Sequence, residues 1–373
     1  MALESDKIEQ GLKDLRVLHA GDETTQDSRL LFQIPELYYP KSVAGIPKED
    51  CVDSSGLDAL IMVVRRVMVE LPLDDRGLEH EVVREQEQAN PLLRLAMADF
   101  VSTDKEALQA ARYLALKAFY EGPLEGKDLS FLALAEHELM HKTIWSRIPF
   151  LLHSPKCLMK EDGKWRSITL TDLAGGAQNS LIHFSTGNLG QVISDKFGTF
   201  PDGQHREIMK QSNIPATIRV RYDFDASDPK TFRDLRKIVV DMRRMKHRPS
   251  GAWELTPPGE AMTTYRLIAE VRLSNSPWEK DTIRTYLEYG EVIPTPNAFP
   301  IHHKQPLGKE NTRYMLYYAR GADDIPGEET LSEIPPPFPT EKERLFQQLL
   351  DGDTLDPRSP SPQPRPAPSL PLA

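Results

Sequence analysis

The chain has 373 residues, 39 % of them hydrophobic and 27 % charged, with a formal net charge of −10. That is enough apolar material for one large domain or two ordinary ones. The acidic balance argues against general nucleic-acid binding, which needs a basic excess to neutralise phosphate. The longest apolar stretches, such as Ala59 to Val64, fall far short of the ~20 residues needed to span a bilayer, so no membrane association is expected.

In chain order, residues 1–44 read as a charged extension with one helix around Ile8 to Leu18 and then a loop. The opening Met-Ala-Leu-Glu-Ser-Asp-Lys has no apolar run behind a basic start, so no secretory signal is read. Residues 45–155 read as a helical lobe. Leu57, Leu60, Ile61, Val64, Val67 and Met68 recur at spacings of three and four, with Ser54 or Ser55 as N-cap. Further helices are expected from Leu92 to Val101, from Lys105 to Tyr120, and from Leu129 to Ile148 behind Asp128 as cap. Through residues 156–320 the pattern changes to strands, clearest at Ile218 to Tyr222, Tyr265 to Leu273 and Tyr314 to Tyr318. Within that region His183 to Phe200 reads as a loop packed on the sheet; its glycines match no nucleotide-binding pattern. The basic stretch Arg233 to Arg248 carries Leu235, Ile238, Val239 and Val240 at core-like spacing, and reads as the solvated face of an ordinary element. Residues 321–373 are acidic and proline-rich, with one isolated helix at Glu341 to Leu350. Seven prolines and no aromatic residue in 357–373 imply a disordered tail of polyproline II character. Helices first and strands after imply an α+β fold, an N-terminal helical lobe packed on an antiparallel β-sheet.

Two cysteines, Cys51 and Cys157, cannot form a disulfide framework or an all-cysteine zinc site, and suit a reducing compartment such as cytoplasm or nucleus. Cys51 precedes the strongest amphipathic helix. A thiol there faces unpaired backbone amides and the positive end of the dipole, as a cysteine nucleophile requires. Asp50 and Asp53 oppose its ionisation, and a small buried hydrophobe is the ordinary fate of a free cysteine.

The segment Cys51 to Leu60 resembles the cysteine box of the ubiquitin-specific proteases: a catalytic Cys, two residues, Asn-Ser, one residue, then Leu-Gln-x-Leu. Ser55, Leu57 and Leu60 stand at the matching offsets, with Ser54 for the Asn and Asp58 for the Gln. Three later segments are similar to the same family's strands in the same order: Ile214 to Val220, Tyr265 to Val271, and Arg313 to Tyr318. The resemblance implies a papain-like cysteine peptidase fold, Cys51 as nucleophile, and ubiquitin, a ubiquitin-like protein or another protein chain as partner. It also exposes departures. Where the family carries its Gly-His-Tyr base, this chain reads Glu279-Lys280-Asp281-Thr282-Ile283-Arg284-Thr285-Tyr286, with no histidine and with Thr282 and Ile283 at the place of the base. Only Glu288 and Glu291 follow where an Asp or Asn orients that base, and the zinc-binding cysteine pairs are absent. His302 and His303 are the remaining candidates for a base, and only if their loop folds back. A degenerate, non-catalytic member with no cofactor is therefore the primary expectation.

The alternative is a zinc-dependent hydrolase. His137-Glu138-Leu139-Met140-His141 matches H-E-x-x-H, which on a helix sets both imidazoles on one face with Glu138 as base. Glu136 and Lys142 put charges against it. Arg147 stands where a third metzincin histidine would, and Pro149 and Pro155 separate it from Glu161. A third expectation is an interaction protein with neither site.

Overall fold

The first core element is a helix because apolar residues recur along almost its whole length. In the computed structural model, Ser55–Met68 (α3) has Leu57, Leu60, Ile61, Val64 and Val67 at 0 % exposure. Each such side chain contributes roughly 1.5–3 kcal/mol over an exposed one. The structure describes residues 11–34, 46–52, 54–201, 206–248, 253–276, 279–288, 290–293, 306–323, 331 and 333. All belong to one compact unit, ending at Pro336. The expected helix at 341–350, the tail, and His302 and His303 lie outside the described residues.

Around α3 lie Leu15–Leu18 (α1), Glu23–Phe32 (α2), Leu73–Arg76 (α4), Glu81–Ala89 (α5), Pro91–Ala96 (α6), Lys105–Phe119 (α7), Phe131–Ala135 (α8) and Glu138–Lys142 (α9). Arg65 of α3, fully buried, ties the lobe together. Its guanidinium donates to the carbonyls of Arg29 and Leu30 at 2.6 and 3.1 Å, and to those of Ala96 and Ala98 at 2.8 and 2.9 Å. They lie in the last turn of α2, where the Arg29 carbonyl also accepts the Gln33 amide, and at or just past the end of α6.

Several expectations are corrected here. Residues 23–32 form a helix, capped by Asp22, instead of a loop. Of the helix expected around Ile8 to Leu18, Gly11 is helical, Leu12 to Asp14 are not, and Leu15–Leu18 form a separate short helix begun by Asp14. The helix expected to reach Val101 stops at Ala96, because the Asp99 carboxylate accepts the amides of Val101 and Ser102 in a turn. The single helix expected from Leu129 to Ile148 is two short ones. Ser130, rather than Asp128, caps α8, and His137 caps α9 after a break at Glu136.

The strands are Lys156–Glu161 (β1), Lys164–Thr169 (β2), Leu181–Phe184 (β3), Gly198–Pro201 (β4), Glu207–Lys210 (β5), Thr217–Asp223 (β6), Lys237–Asp241 (β7), Met245–His247 (β8), Trp253–Leu255 (β9), Met262–Leu273 (β10), Thr282–Thr285 (β11) and Arg313–Arg320 (β12). Helices Leu173–Gln178 (α10), Leu189–Ser194 (α11) and Phe232–Leu235 (α12) are interspersed. The main sheet runs β11-β10-β12-β6-β3, with β7 pairing the first half of β10. The fold is α+β as expected, but the sheet is mixed: β3 lies parallel to β6. Residues 183–200 thus hold a strand, a helix and a further strand instead of a loop. The basic stretch 233–248 spans the end of α12, β7 and β8, with Val239 exposed and Leu235, Ile238 and Val240 buried.

The sheet separates two cores. Val271, Ile283, Met315 and Tyr317 face α3 and its neighbours, whereas Val220, Tyr222, Tyr314, Leu316 and Tyr318 pack with α11, α12 and β7. Among the described residues no helix is long and apolar enough to cross a membrane.

Candidate functional site

Cys51 lies four residues ahead of α3, at the end of a short turn Lys48–Asp50. Its amide donates to the Lys48 carbonyl at 3.2 Å, and its half-buried thiol donates to the Pro47 carbonyl at 3.5 Å. The turn is anchored by Asp50, whose carboxylate accepts the Leu124 amide at 2.6 Å and the Tyr113 hydroxyl at 3.2 Å, with the Lys117 ammonium 3.6 Å away. The thiol is thus held near a helix N-terminus, as expected.

The two residues that depart from the cysteine box share one partner. Arg112 of α7 pairs with the fully buried Asp58 carboxylate, and its second arm donates to Ser54 Oγ at 2.9 Å. Ser54 and Asp58 therefore brace α3 against α7. Next to them, a Cβ on Gly56 would stand 2.2 Å from the Leu129 carbonyl and 2.5 Å from the Phe131 nitrogen, so the helix start packs backbone to backbone on α8. The Phe131 amide in turn donates at 2.6 Å to Asp281, which also accepts the Ser274 amide at 2.8 Å. Burial pushes the Asp281 carboxyl up, and those two amides oppose the shift. This chain of contacts brings the start of β11 to the same end of the domain as the start of α3.

At that start stand Thr282 and Ile283, where the resembled family carries its base; they lie opposite Arg272 and Val271 in β10. The Thr282 hydroxyl is buried with no hydrogen-bond partner among the described residues. Beyond Tyr286 the chain turns sharply, with Leu287 N–H on the Glu291 carbonyl at 2.7 Å. Glu288 and Glu291 both point to solvent.

His137, Glu138 and His141 are not gathered on one open face. His137 precedes α9, and its Nδ1 accepts the Leu139 amide at 3.1 Å. Its ring lies 5.2 Å from that of Phe119 and 5.6 Å from that of Tyr120. Glu138 is exposed and paired with Lys142. His141 is buried, its Nε2 3.4 Å from Glu136. Burial, and then the Arg219 charge, push the His141 imidazole down to about 4. Among the described residues no group of three or more His, Cys, Asp or Glu side chains is placed to hold a metal ion. Cys157 is buried in β1, and that burial pushes its thiol up.

Two buried charged clusters escaped the sequence reading. On the helical side of the sheet, Arg219 of β6 donates to Glu136 at 2.7 Å and to the Ala177 carbonyl at 2.6 Å, with its guanidinium 4.6 Å above the Trp145 ring. On the other side, Arg284 of β11 lies 3.0 Å from Glu270 and 2.8 Å from Glu333. Burial pushes the Glu270 carboxyl up to about 7, against the pull of Arg284. The alternation of β6 is the pattern of a half-buried strand, and it hid the burial of Arg219.

No family model matches the chain, and no curated protein matches it. Among solved structures it is similar to the Saccharomyces cerevisiae PAN2 pseudoubiquitin-hydrolase, at 10 % identity over 72 % of this chain and 83 % of that one, with a TM-score of 0.34. A longer Saccharomyces cerevisiae Pan2 module, pseudoubiquitin hydrolase with RNA exonuclease, is matched at 11 % identity and a TM-score of 0.33, over 79 % of this chain and 59 % of that one. The SAGA Ubp8 DUB module is matched at 8 % identity over 78 % and 72 % of the two chains, with a TM-score of 0.35. The box-like segment heads α3, and the three strand-like segments fall in β6, β10 and β12, central neighbours in one sheet packed on that helix.

Proposed function

We propose that this chain is a degenerate ubiquitin-specific-protease-like scaffold that acts by binding ubiquitin, a ubiquitin-like protein or another protein chain, without cleaving it. What supports the reading is the chemistry at Cys51 and at the start of β11. Cys51 lies just ahead of α3 with its thiol turned to the Pro47 carbonyl, and Thr282 and Ile283, neither of them a base, stand where the resembled family carries its histidine. A thiol without a positioned base loses most of its activation. The neighbouring box positions, Ser54 and Asp58, serve as structural braces for Arg112. Binding asks less than chemistry: a surface and a stable core, neither of which needs a general base. The test is calorimetric titration of the full-length protein with ubiquitin and with a ubiquitin-like protein, beside turnover of a fluorogenic ubiquitin substrate. The reading expects binding without turnover. Turnover would remove it, and no binding to either protein would remove ubiquitin and ubiquitin-like proteins as the partner.

A further inference from the structure

Away from Cys51, two carboxylates converge on one guanidinium at the β11 edge of the main sheet. Arg284 of β11 stands directly across the ladder from Glu270 of β10. Its Nη1 lies 3.0 Å from Glu270 Oε1 and 2.8 Å from Glu333 Oε1. The Glu270 and Arg284 side chains are 0 % and 1 % exposed, and that of Glu333 is 14 % exposed. Tyr286, at the end of β11, and Tyr314 and Tyr318 of β12 face the same Glu270 carboxylate. Arg272, two residues along β10, is turned to Glu279 at 2.5 Å.

Glu333 reaches this cluster from outside the sheet. Its Oε1 also accepts the Leu307 amide, and Leu331 lies against Gly290, where an added Cβ would stand 3.2 Å from Leu331 Cδ1. Arg284 keeps its charge across the whole working range of pH. Two carboxylates beside one guanidinium nitrogen repel each other, so the more deeply buried one holds a proton more readily than a lone carboxyl would. Burial pushes the Glu270 carboxyl up to about 7; Arg284 pulls it down, and Glu333 pushes it further up. The coupling is reciprocal. What seated Glu333 does to the ionisation of Glu270, ionised Glu270 does to the seating of Glu333.

We propose that Glu270, Arg284 and Glu333 form a proton-operated latch: with Glu270 protonated, Glu333 is seated on Arg284, and with Glu270 ionised, Glu333 is expelled. Glu333 is the member that leaves, because it is the more exposed carboxylate and lies outside the strands. Glu270 cannot leave, since its strand is held between β11 and β12. The seated state belongs to pH below about 7 and the released state to pH above it. The latch thus ties the seating of Glu333, near the end of the compact unit, to the proton supply near neutrality. The proposal is independent of the ubiquitin reading.

The Leu307 amide reports the latch directly, because it donates to Glu333. The test is hydrogen exchange at that amide, read by NMR on the full-length protein and divided by the intrinsic exchange rate. Protection should fall about tenfold between about pH 6 and about pH 8, as a coupling of ~1 pKa unit requires. Glu270→Gln is neutral at every pH and should hold the protection constant across that range. Glu333→Gln should lower protection at both ends of the range. By reciprocity it should also lower the midpoint at which the Glu270 carboxyl titrates, followed by carboxyl-carbon NMR. Wild-type protection that does not change with pH would overturn the proposal, and that measurement needs no variant to fold. A fall of the same size in Glu270→Gln, or an unmoved Glu270 midpoint in Glu333→Gln, would overturn it as well.

Discussion

Asp58 and Arg112 are joined inside the helical lobe, the carboxylate at 0 % and the guanidinium at 7 % side-chain exposure. Removing one member of such a pair leaves the other charged and buried, at a cost of roughly 3–5 kcal/mol. Asp58→Ala should therefore destabilise the protein by about that much in urea unfolding. The double variant with Arg112→Ala should lose clearly less than the sum of the two single losses. Losses that simply add would show that the two residues act separately.

Gly56 and Gly176 predict opposite outcomes for one added methyl. At Gly56 the methyl meets the Leu129 carbonyl at 2.2 Å, a backbone atom with no room to yield, so Gly56→Ala should cost roughly 1–3 kcal/mol or more. At Gly176, in α10, its nearest neighbour is Leu151 Cδ2 at 3.6 Å, so Gly176→Ala should gain up to ~1 kcal/mol from helix propensity. Thermal melting of the two variants checks the contrast. A neutral Gly56→Ala would mean that α3 and α8 are not packed as described.

The helices and strands with long regular periods were legible in the sequence. The α3 pattern and those of β6, β10 and β12 depend on nothing beyond their own residues. The break at Glu136 was not legible. The run from Leu129 to Ile148 is apolar at helical spacing throughout, and the chain turns there with Glu136 held by Arg219 of β6. The parallel pairing of β3 with β6 was hidden for a similar reason, since strand direction is set by how the chain returns across the sheet. At the site, the position of Cys51 before a helix could be read. Its surroundings could not, because Arg112 and Asp281 reach Ser54, Asp58 and Phe131 from distant segments.

His141 gives the fold a specific acid sensitivity. Its imidazole is pushed from 6.5 to about 4, and the charged groups facing it are Glu136 of the α8–α9 connection and Arg219 of β6. The unfolded chain takes up the proton near 6.5, the folded one only near 4. The stability that His141 contributes is therefore present above 6.5 and is lost as pH falls from there toward 4, by at most about 1.4 kcal/mol per pH unit. Urea unfolding should show the gap between wild type and His141→Gln growing from pH 4 to 6.5 and flat above. A gap independent of pH, or one that widens in acid, would contradict this assignment.

On the proposed reading, Cys51 stands where a nucleophile would but lacks a positioned base. A helix N-terminus is worth about 0.3–1 kcal/mol to a thiolate at an exposed site, whereas a positioned base supplies roughly 10²–10⁴-fold in rate. The first cannot replace the second, and the thiol is half-buried against the Pro47 carbonyl. The most direct measurement is intact mass of the full-length protein after incubation with ubiquitin carrying a thiol-reactive group at its C-terminus. The account predicts an unmodified mass for wild type and for Cys51→Ala alike. A rapid adduct on wild type that disappears in Cys51→Ala would contradict it, and would require a base for the thiol from residues such as His302 or His303.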